Sequence, residues 1–261
     1  MSQSLAKDFN FRSLLKFAFP SIIMMIFMSL YSIVDGFFIA QYVDSMALSA
    51  ANIVYPAVSI LLAVGIMFGT GGSAVVAAKI GQEKQEEANR NFSALTLTTL
   101  IIGILGAALG NLFCRQICSL LGATPVLMDY GIAYLRTILS FAPVCLLQAL
   151  FQSFFVTAGR PGLGLSLTVS AGITNMILDY LFVVPLHLGV AGAALATGLG
   201  QCIPAVAGIL YFTFARKGLR FTRPEFPKAC SPQAASTVPP RWSAIFPQRC
   251  HLPFQHADAE I

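Results

Sequence analysis

The sequence predicts an all-α integral membrane fold, a bundle of six transmembrane helices followed by an irregular C-terminal tail. Of the 261 residues, 56% are hydrophobic and only 10% are charged. A soluble domain usually has about a quarter of its residues charged, so this composition excludes an ordinary soluble fold. The lengths of the apolar runs also indicate a membrane protein, because several reach the ~20 residues that a helix needs to cross the hydrocarbon core.

Short polar stretches separate six apolar runs. The first, residues 17–40, is longer than the roughly 7–15 apolar residues of a secretory signal, so we interpret it as a retained helix. The mixed stretch 114–130 predicts a short interfacial helix, and the short turns at 159–162 and 185–189 make the last three spans antiparallel neighbours. The predicted spans are 14–40, 50–79, 92–114, 131–157, 163–185 and 189–215.

We divide the chain into a short N-terminal segment (1–13), a six-helix lobe (14–226) and a proline-rich tail (227–261) in which we expect little regular structure. Lys and Arg cluster in the segments that are cytoplasmic if the N-terminus is cytoplasmic, as the positive-inside rule requires. The net charge of +5 is therefore explained by topology, and no nucleic-acid partner is expected. These inner basic residues are Lys7, Arg12, Lys16, Lys79, Lys84, Arg90, Arg160, Arg216, Lys217, Arg220 and Arg223.

The sequence contains no pattern that indicates catalysis, a metal centre or a cofactor. The glycine-rich stretch at 69–73 lacks the lysine of a phosphate-binding loop and lies in an apolar span. In the tail, Cys250, His251 and His256 have no second ligand cluster to complete a zinc site. We therefore expect no enzyme, no bound metal and no structural disulfide.

Three charged residues lie well inside the predicted spans, namely Asp35, Arg136 and Asp179. A charge at the bilayer centre costs about 2.5–3.5 kcal/mol, so such residues usually face the interior of a bundle. Each aspartate follows a basic residue, Lys16 or Arg160, by 19 positions in the chain. At the rise of an α-helix both carboxylates lie about 28 Å above these anchors, and therefore at similar depth. Arg136 is interpreted as a side chain that extends to the outer surface.

Two uncharged polar residues reach the same depth as the aspartates. Asn175 lies one turn below Asp179 on the same helix face, and Thr197 lies about 12 Å into the sixth span. If the helices face each other, one layer holds two carboxylates, an amide and a hydroxyl, which suits a proton or a small hard cation such as Na⁺. The alternative is that each aspartate caps a kink or bonds a neighbouring hydroxyl.

Gln148 and Gln152 lie one turn apart toward the inner end of the fourth span. Polar side chains at this depth either line a substrate path or form hydrogen bonds between helices. The sequence leaves both interpretations open.

The chain also contains Pro20 and six further segments in a recognisable order: YSIVDGFFIA, LSAANIVYP, GTGGSAVVAAKIGQ, AGRP, NMILDYLFV and GVAGAALATGLGQ. Together they resemble the multidrug and toxic compound extrusion (MATE) transporters, and among them a bacterial subgroup. The resemblance covers about residues 12–226. It implies a multi-pass protein of the bacterial inner membrane that exports cationic, lipophilic small molecules in exchange for H⁺ or Na⁺.

The resemblance further implies that Asp35, Asn175, Asp179 and Thr197 form the cation or proton site of the N-terminal lobe. Members of the family have two six-helix lobes with a substrate cavity between them, whereas six helices are predicted here. We therefore expect an N-terminal half, with the missing C-terminal lobe or a second copy completing the cavity. The alternatives are a six-helix channel or accessory subunit without coupled export, and a membrane enzyme that uses the aspartates.

Overall fold

The computed structural model describes residues 11–214 and 218–222, which belong to one compact unit, Met1–Glu225. All regular elements of this part of the chain are α-helices. The predicted tail, 227–261, and most of the predicted N-terminal segment lie outside the described residues. The helices are α1 (Phe11–Tyr42), α2 (Ser45–Gly81), α3 (Gln85–Leu112), α4 (Cys114–Leu120), α5 (Pro125–Ser140), α6 (Ala142–Thr157), α7 (Pro161–Val183) and α8 (Gly189–Phe214).

Most of these helices have the length and composition of membrane spans. By those criteria α2, α3, α7 and α8 each qualify alone, and α5 and α6 qualify together as one bent span. Helix α1, with 32 residues, contains the first predicted span. Large apolar side chains face outward from several helices, including Ile60, Ile104 and Ile177. The predicted class, an all-α bundle that spans a membrane, is therefore confirmed.

The fourth predicted span, 131–157, differs from the straight helix that its sequence suggests. It is made of α5 and α6, which are bent by 55° with respect to each other. Pro143 lies in the first turn of α6, and its ring would clash with the carbonyl group four residues earlier in a continuous helix. The proline is tolerated at the start of a new helix, where its missing N–H group is not needed. The short helix α4 occupies the stretch predicted to be interfacial.

Two apolar clusters hold the bundle together near its two ends. One combines the end of α1, the starts of α2 and α8, the end of α7, and helices α4 and α5. The other combines the ends of α2, α6 and α8 with the start of α3, and five of its buried members are phenylalanines. The candidate site described below lies next to the first cluster, because Ile39 and Val183 each follow one of its aspartates by one turn.

Helices α2 and α6 approach each other closely at two glycines. A Cβ atom added at Gly69 would lie 3.0 Å from the carbonyl oxygen of Ala149, and one at Gly65 would lie 3.3 Å from the Cα atom of Leu146. These neighbours are backbone atoms, which cannot move aside as the end of a side chain can. Small residues at this four-residue spacing therefore set the distance between the two helices.

We expect Gly69→Ala to destabilise the bundle by about 1–3 kcal/mol, because the added methyl group overpacks the contact between α2 and α6. Gly71→Ala is the matched control, since a Cβ atom there would meet nothing within 4 Å. This control should be neutral or stabilising by up to about 1 kcal/mol, the helix propensity of Ala over Gly. Unfolding in mixed detergent micelles measures both, and equal effects would contradict the close approach.

Candidate functional site

Helix α1 lies against α7, and the two helices run in the same direction through the bundle. The two helices are in close contact at Gly172, where an added Cβ atom would collide with the ring of Phe27. Asp35 follows Phe27 by eight residues, or about 12 Å, and Asp179 follows Gly172 by seven residues, or about 10.5 Å. The contact therefore places the two aspartates at the same level, as the depth argument from the sequence predicted.

The two carboxyl groups meet between α1 and α7. Asp35 and Asp179 lie within hydrogen-bonding reach of each other. The side chain of Asp179 is fully buried, and that of Asp35 is half-buried. One oxygen of each, Oδ1, is buried and has no hydrogen-bond partner among the described residues. Because buried polar atoms are almost always satisfied, these two oxygens mark a place where a proton or a cation fits.

Asn175 links this pair of acids to α8. It is 3% exposed, and its amide nitrogen lies 3.3 Å from the hydroxyl oxygen of Thr197. With the amide turned over, the nitrogen donates to Oδ2 of Asp179 at 3.3 Å and the oxygen accepts from the backbone N–H of Thr197 at 3.2 Å. Either orientation connects α7 to α8, and the second also connects both helices to the acids.

The structure thus brings together the four residues predicted for the cation site, Asp35, Asn175, Asp179 and Thr197, from helices α1, α7 and α8. Their donor atoms are carboxylate, amide and hydroxyl oxygens, which suit H⁺ or a hard cation and not a soft transition metal. Within the described part of the chain no three His, Cys, Asp or Glu side chains cluster as a metal site. The arrangement can therefore bind one small positive ion between three helices.

A small cavity adjoins this cluster. Its volume is about 10 Å³, close to the smallest space that holds one water molecule. Its lining residues come from α6, α7 and α8 and are Gln148, Thr168, Ala171, Gly172, Asn175, Thr197, Gly200 and Gln201. A site for a drug-sized molecule needs roughly 300–1,000 Å³. In this conformation the cavity can take a water molecule or an ion and cannot enclose a drug.

The two glutamines that the sequence singled out are placed differently. Gln148 is buried and lines the cavity, whereas Gln152, one turn further along α6, lies outside its wall. Sequence reasoning missed Thr168 and Gln201. Gln201 could have been found, because it lies one turn after Thr197 on the same face of α8. Its Oε1 atom is buried without a partner among the described residues.

The fold and this polar layer describe an all-α membrane protein with polar side chains inside its bundle. A family model described as MatE matches residues 20–181, which is more than half of the chain. The chain belongs to the MatE family.

Similar proteins agree with this assignment. The multidrug export protein MepA of Staphylococcus haemolyticus (strain JCSC1435) is 28% identical over 211 residues, which make up 81% of this chain and 47% of that protein. MepA of Staphylococcus aureus (strain MRSA252) is 26% identical over 203 residues, 77% of this chain and 45% of that protein. The chain thus spans about half the length of the curated relatives it matches.

Solved structures show the same fold. A MATE transporter crystallised in complex with MaD3S superimposes with a TM-score of 0.80 at 22% identity, covering 90% of this chain and 52% of that chain. An outward-facing multidrug resistance MATE transporter of the MOP superfamily gives a TM-score of 0.78 at 22% identity, covering 85% and 49%. The prediction that this chain has the fold of a MATE lobe is confirmed.

We expect Asp35→Cys and Asp179→Cys together to be joined by a short thiol-reactive crosslinker, in a background whose native cysteines are replaced by serine. The reason is that the two carboxyl groups meet between α1 and α7. Asp35→Cys with Ile177→Cys is the matched control, because Ile177 is 61% exposed on another face of α7. Mass spectrometry of the crosslinked peptides measures both pairs. Efficient crosslinking of the control pair alone would show that the acids do not face each other.

Proposed function

We propose that this chain forms the cation-coupled lobe of a multidrug efflux antiporter, in which Asp35, Asn175, Asp179 and Thr197 bind H⁺ or Na⁺. The observation that carries the proposal is the pair of buried carboxylate oxygens, one on each aspartate, that lack a partner among the described residues. Leaving charged groups buried and unpaired costs several kcal/mol. A proton or cation between the two helices removes this cost, so occupancy of the site is strongly favoured when the helices are in contact.

Occupancy of the site controls the contact between α1 and α7. Two unit charges 4 Å apart repel by about 4 kcal/mol at an effective dielectric constant of 20. When the ion leaves, this repulsion acts directly across the interface that Phe27 and Gly172 hold closed. Loss of the ion therefore favours separation of α1 from α7, and binding favours closure. A gradient of the ion across the membrane can thus drive a change in helix position.

The change reaches α8 through Asn175. Its amide group contacts Thr197 in either orientation, and Gly200 allows α7 to approach α8 so closely that an added Cβ atom would lie 3.1 Å from Cβ of Asn175. Movement at the acids is therefore transmitted to the helix that also carries Gln201. Gln148 and Gln201 both line the cavity. We assign Gln148 to the path of the substrate, together with Gln152, which lies one turn further along α6 and outside the cavity wall.

The proposed substrates are cationic, lipophilic small molecules, and the pair of acids inside the bundle suits the exchange of such a cation for H⁺ or Na⁺. The relatives, which are about twice as long as this chain, carry the name multidrug export protein. The cavity of about 10 Å³ is too small for such a molecule, so the substrate site needs a further wall. We propose that a second lobe, or a second copy of this chain, supplies it. The proposed location is the bacterial inner membrane, with the N-terminus in the cytoplasm.

We expect Asp35→Asn and Asp179→Asn each to abolish ion-coupled transport, because either change removes one of the two charges that the ion balances. The assay is release of protons or of ²²Na⁺ from liposomes when a cationic dye is added outside. Asp129→Asn is the matched control, since that carboxylate lies exposed on α5, and it should keep full coupling. Both site variants should fall to the rate of protein-free liposomes.

Two results would contradict this proposal. Wild-type protein that conducts ions at the same rate with and without dye would indicate a channel and not an exchanger. Site variants that exchange dye for ions as fast as Asp129→Asn would show that the two acids have a structural role only. Comparison of the proton and ²²Na⁺ signals in the wild type identifies the coupling ion.

A further inference from the structure

Residues 218–222, which follow α8 in the chain, bend at Gly218 and Leu219 and then run between α3 and α8. The backbone N–H of Arg220 donates to Oδ1 of Asn89 at 3.2 Å, and the N–H of Thr222 donates to Oγ of Ser93 at 2.9 Å. Between them, the N–H of Phe221 donates to the carbonyl oxygen of Phe212 at 3.2 Å. Alternate amides of this segment therefore point to alternate helices, as in the backbone of a strand.

The two acceptors on α3 match the repeat of an extended chain. Asn89 and Ser93 are four residues apart, which is a rise of about 6 Å along a helix. Arg220 and Thr222 are two residues apart, which is about 6.6 Å along an extended backbone. The two acceptors on α3 are therefore spaced almost as far apart as the two backbone amides that they bind, so both hydrogen bonds can form at once.

The acceptors are buried with the segment in place, and further hydrogen bonds within α3 hold them. Asn89 is 3% exposed and Ser93 is 5% exposed. The hydroxyl of Ser93 donates to the carbonyl oxygen of Asn89 at 2.9 Å, which leaves its lone pairs free to accept. Nε2 of Gln85 donates to Oδ1 of Asn89 at 3.3 Å and holds that side chain in place. A buried acceptor that lost its backbone partner would cost free energy. The two acceptors, Asn89 and Ser93, therefore favour the bound position of the segment.

Apolar side chains complete the contact at the intervening positions. Leu219 is 4% exposed, and the ring of Phe221 stacks on that of Phe92 with centroids 5.0 Å apart and planes 21° apart. Phe92 lies on α3 between the two acceptors and also contacts Phe154 and Phe212. The side chain of Arg220, in contrast, is exposed. The surface thus recognises backbone at 220 and 222, and apolar side chains at 219 and 221.

We propose that Asn89, Phe92 and Ser93 form a docking site for an extended peptide segment, and that residues 218–222 of this chain are its occupant. The site ties the end of α8 to the start of α3 and covers the aromatic cluster at that end of the bundle. Its partner chemistry is an extended backbone with apolar side chains at two alternate positions. The proposal is independent of the transport activity proposed above, because it concerns contacts at the other end of α8.

Hydrogen exchange at the individual amides of Arg220 and Thr222 tests the proposal on the full chain in nanodiscs. Asn89→Ala should speed exchange at Arg220 roughly tenfold, and Ser93→Ala should do the same at Thr222, as expected for loss of one hydrogen bond. Asn89→Asp keeps an acceptor oxygen and should leave Arg220 protected. Thr96→Ala is the matched control, because that hydroxyl also donates to a carbonyl oxygen of α3, that of Phe92.

A second variant acts on the segment and leaves α3 intact. Gly218 has a φ angle of +91°, and an added Cβ atom would meet nothing within 4 Å, so Gly218→Val strains only the backbone turn. It should release both amides together. Unchanged exchange at 220 and 222 in Asn89→Ala and Ser93→Ala would overturn the docking site. Faster exchange spread equally over α3 and α8 would also overturn it, since that indicates a general loss of stability.

Discussion

The contact between Asp35 and Asp179 is the constraint on which the rest of the structure depends. Two acids can meet in an apolar bundle only if their helices lie close together and a positive charge or a proton neutralises them. Gly172 provides the closeness, because it lets the ring of Phe27 reach the backbone of α7. Asn175 supplies an amide on the side facing α8. The tight packing of α1, α7 and α8 encloses this pair.

Much of this arrangement follows from simple periodicity in the sequence. Counting from Lys16 and Arg160 places the two aspartates at one depth, and the helical repeat places Asn175 below Asp179. The sequence alone could not show that α1 packs on α7, because the hydropathy of the lipid-facing and buried sides is similar. Thr168 and Gln201 were missed because an uncharged polar residue in a span costs little and so carries a weak signal. Whether the cluster binds an ion stays a prediction.

Other features depend on contacts between distant parts of the chain, which periodicity cannot describe. The bend between α5 and α6 has a local cause in Pro143, but its angle of 55° is set by packing, since the backbone of Pro143 lies against Gly103 of α3. The bonds from Asn89 and Ser93 to residues 220 and 222 join positions about 130 apart in the chain. Helix α8 connects the two regions, because Thr197 and Phe212 lie about 22 Å apart along it.

The small volume beside Asn175 has a consequence for ion selectivity. In the proposed cation coupling, with about 10 Å³ available, a cation that moves past Gln148 and Gln201 would give up nearly all of its hydration shell. The side-chain oxygens that the described lining offers as replacements belong to Thr168, Asn175, Thr197 and the two glutamines, and none carries a formal charge. A divalent ion, whose water is held far more strongly than that of a monovalent ion, would be rejected at this step by the cost of dehydration.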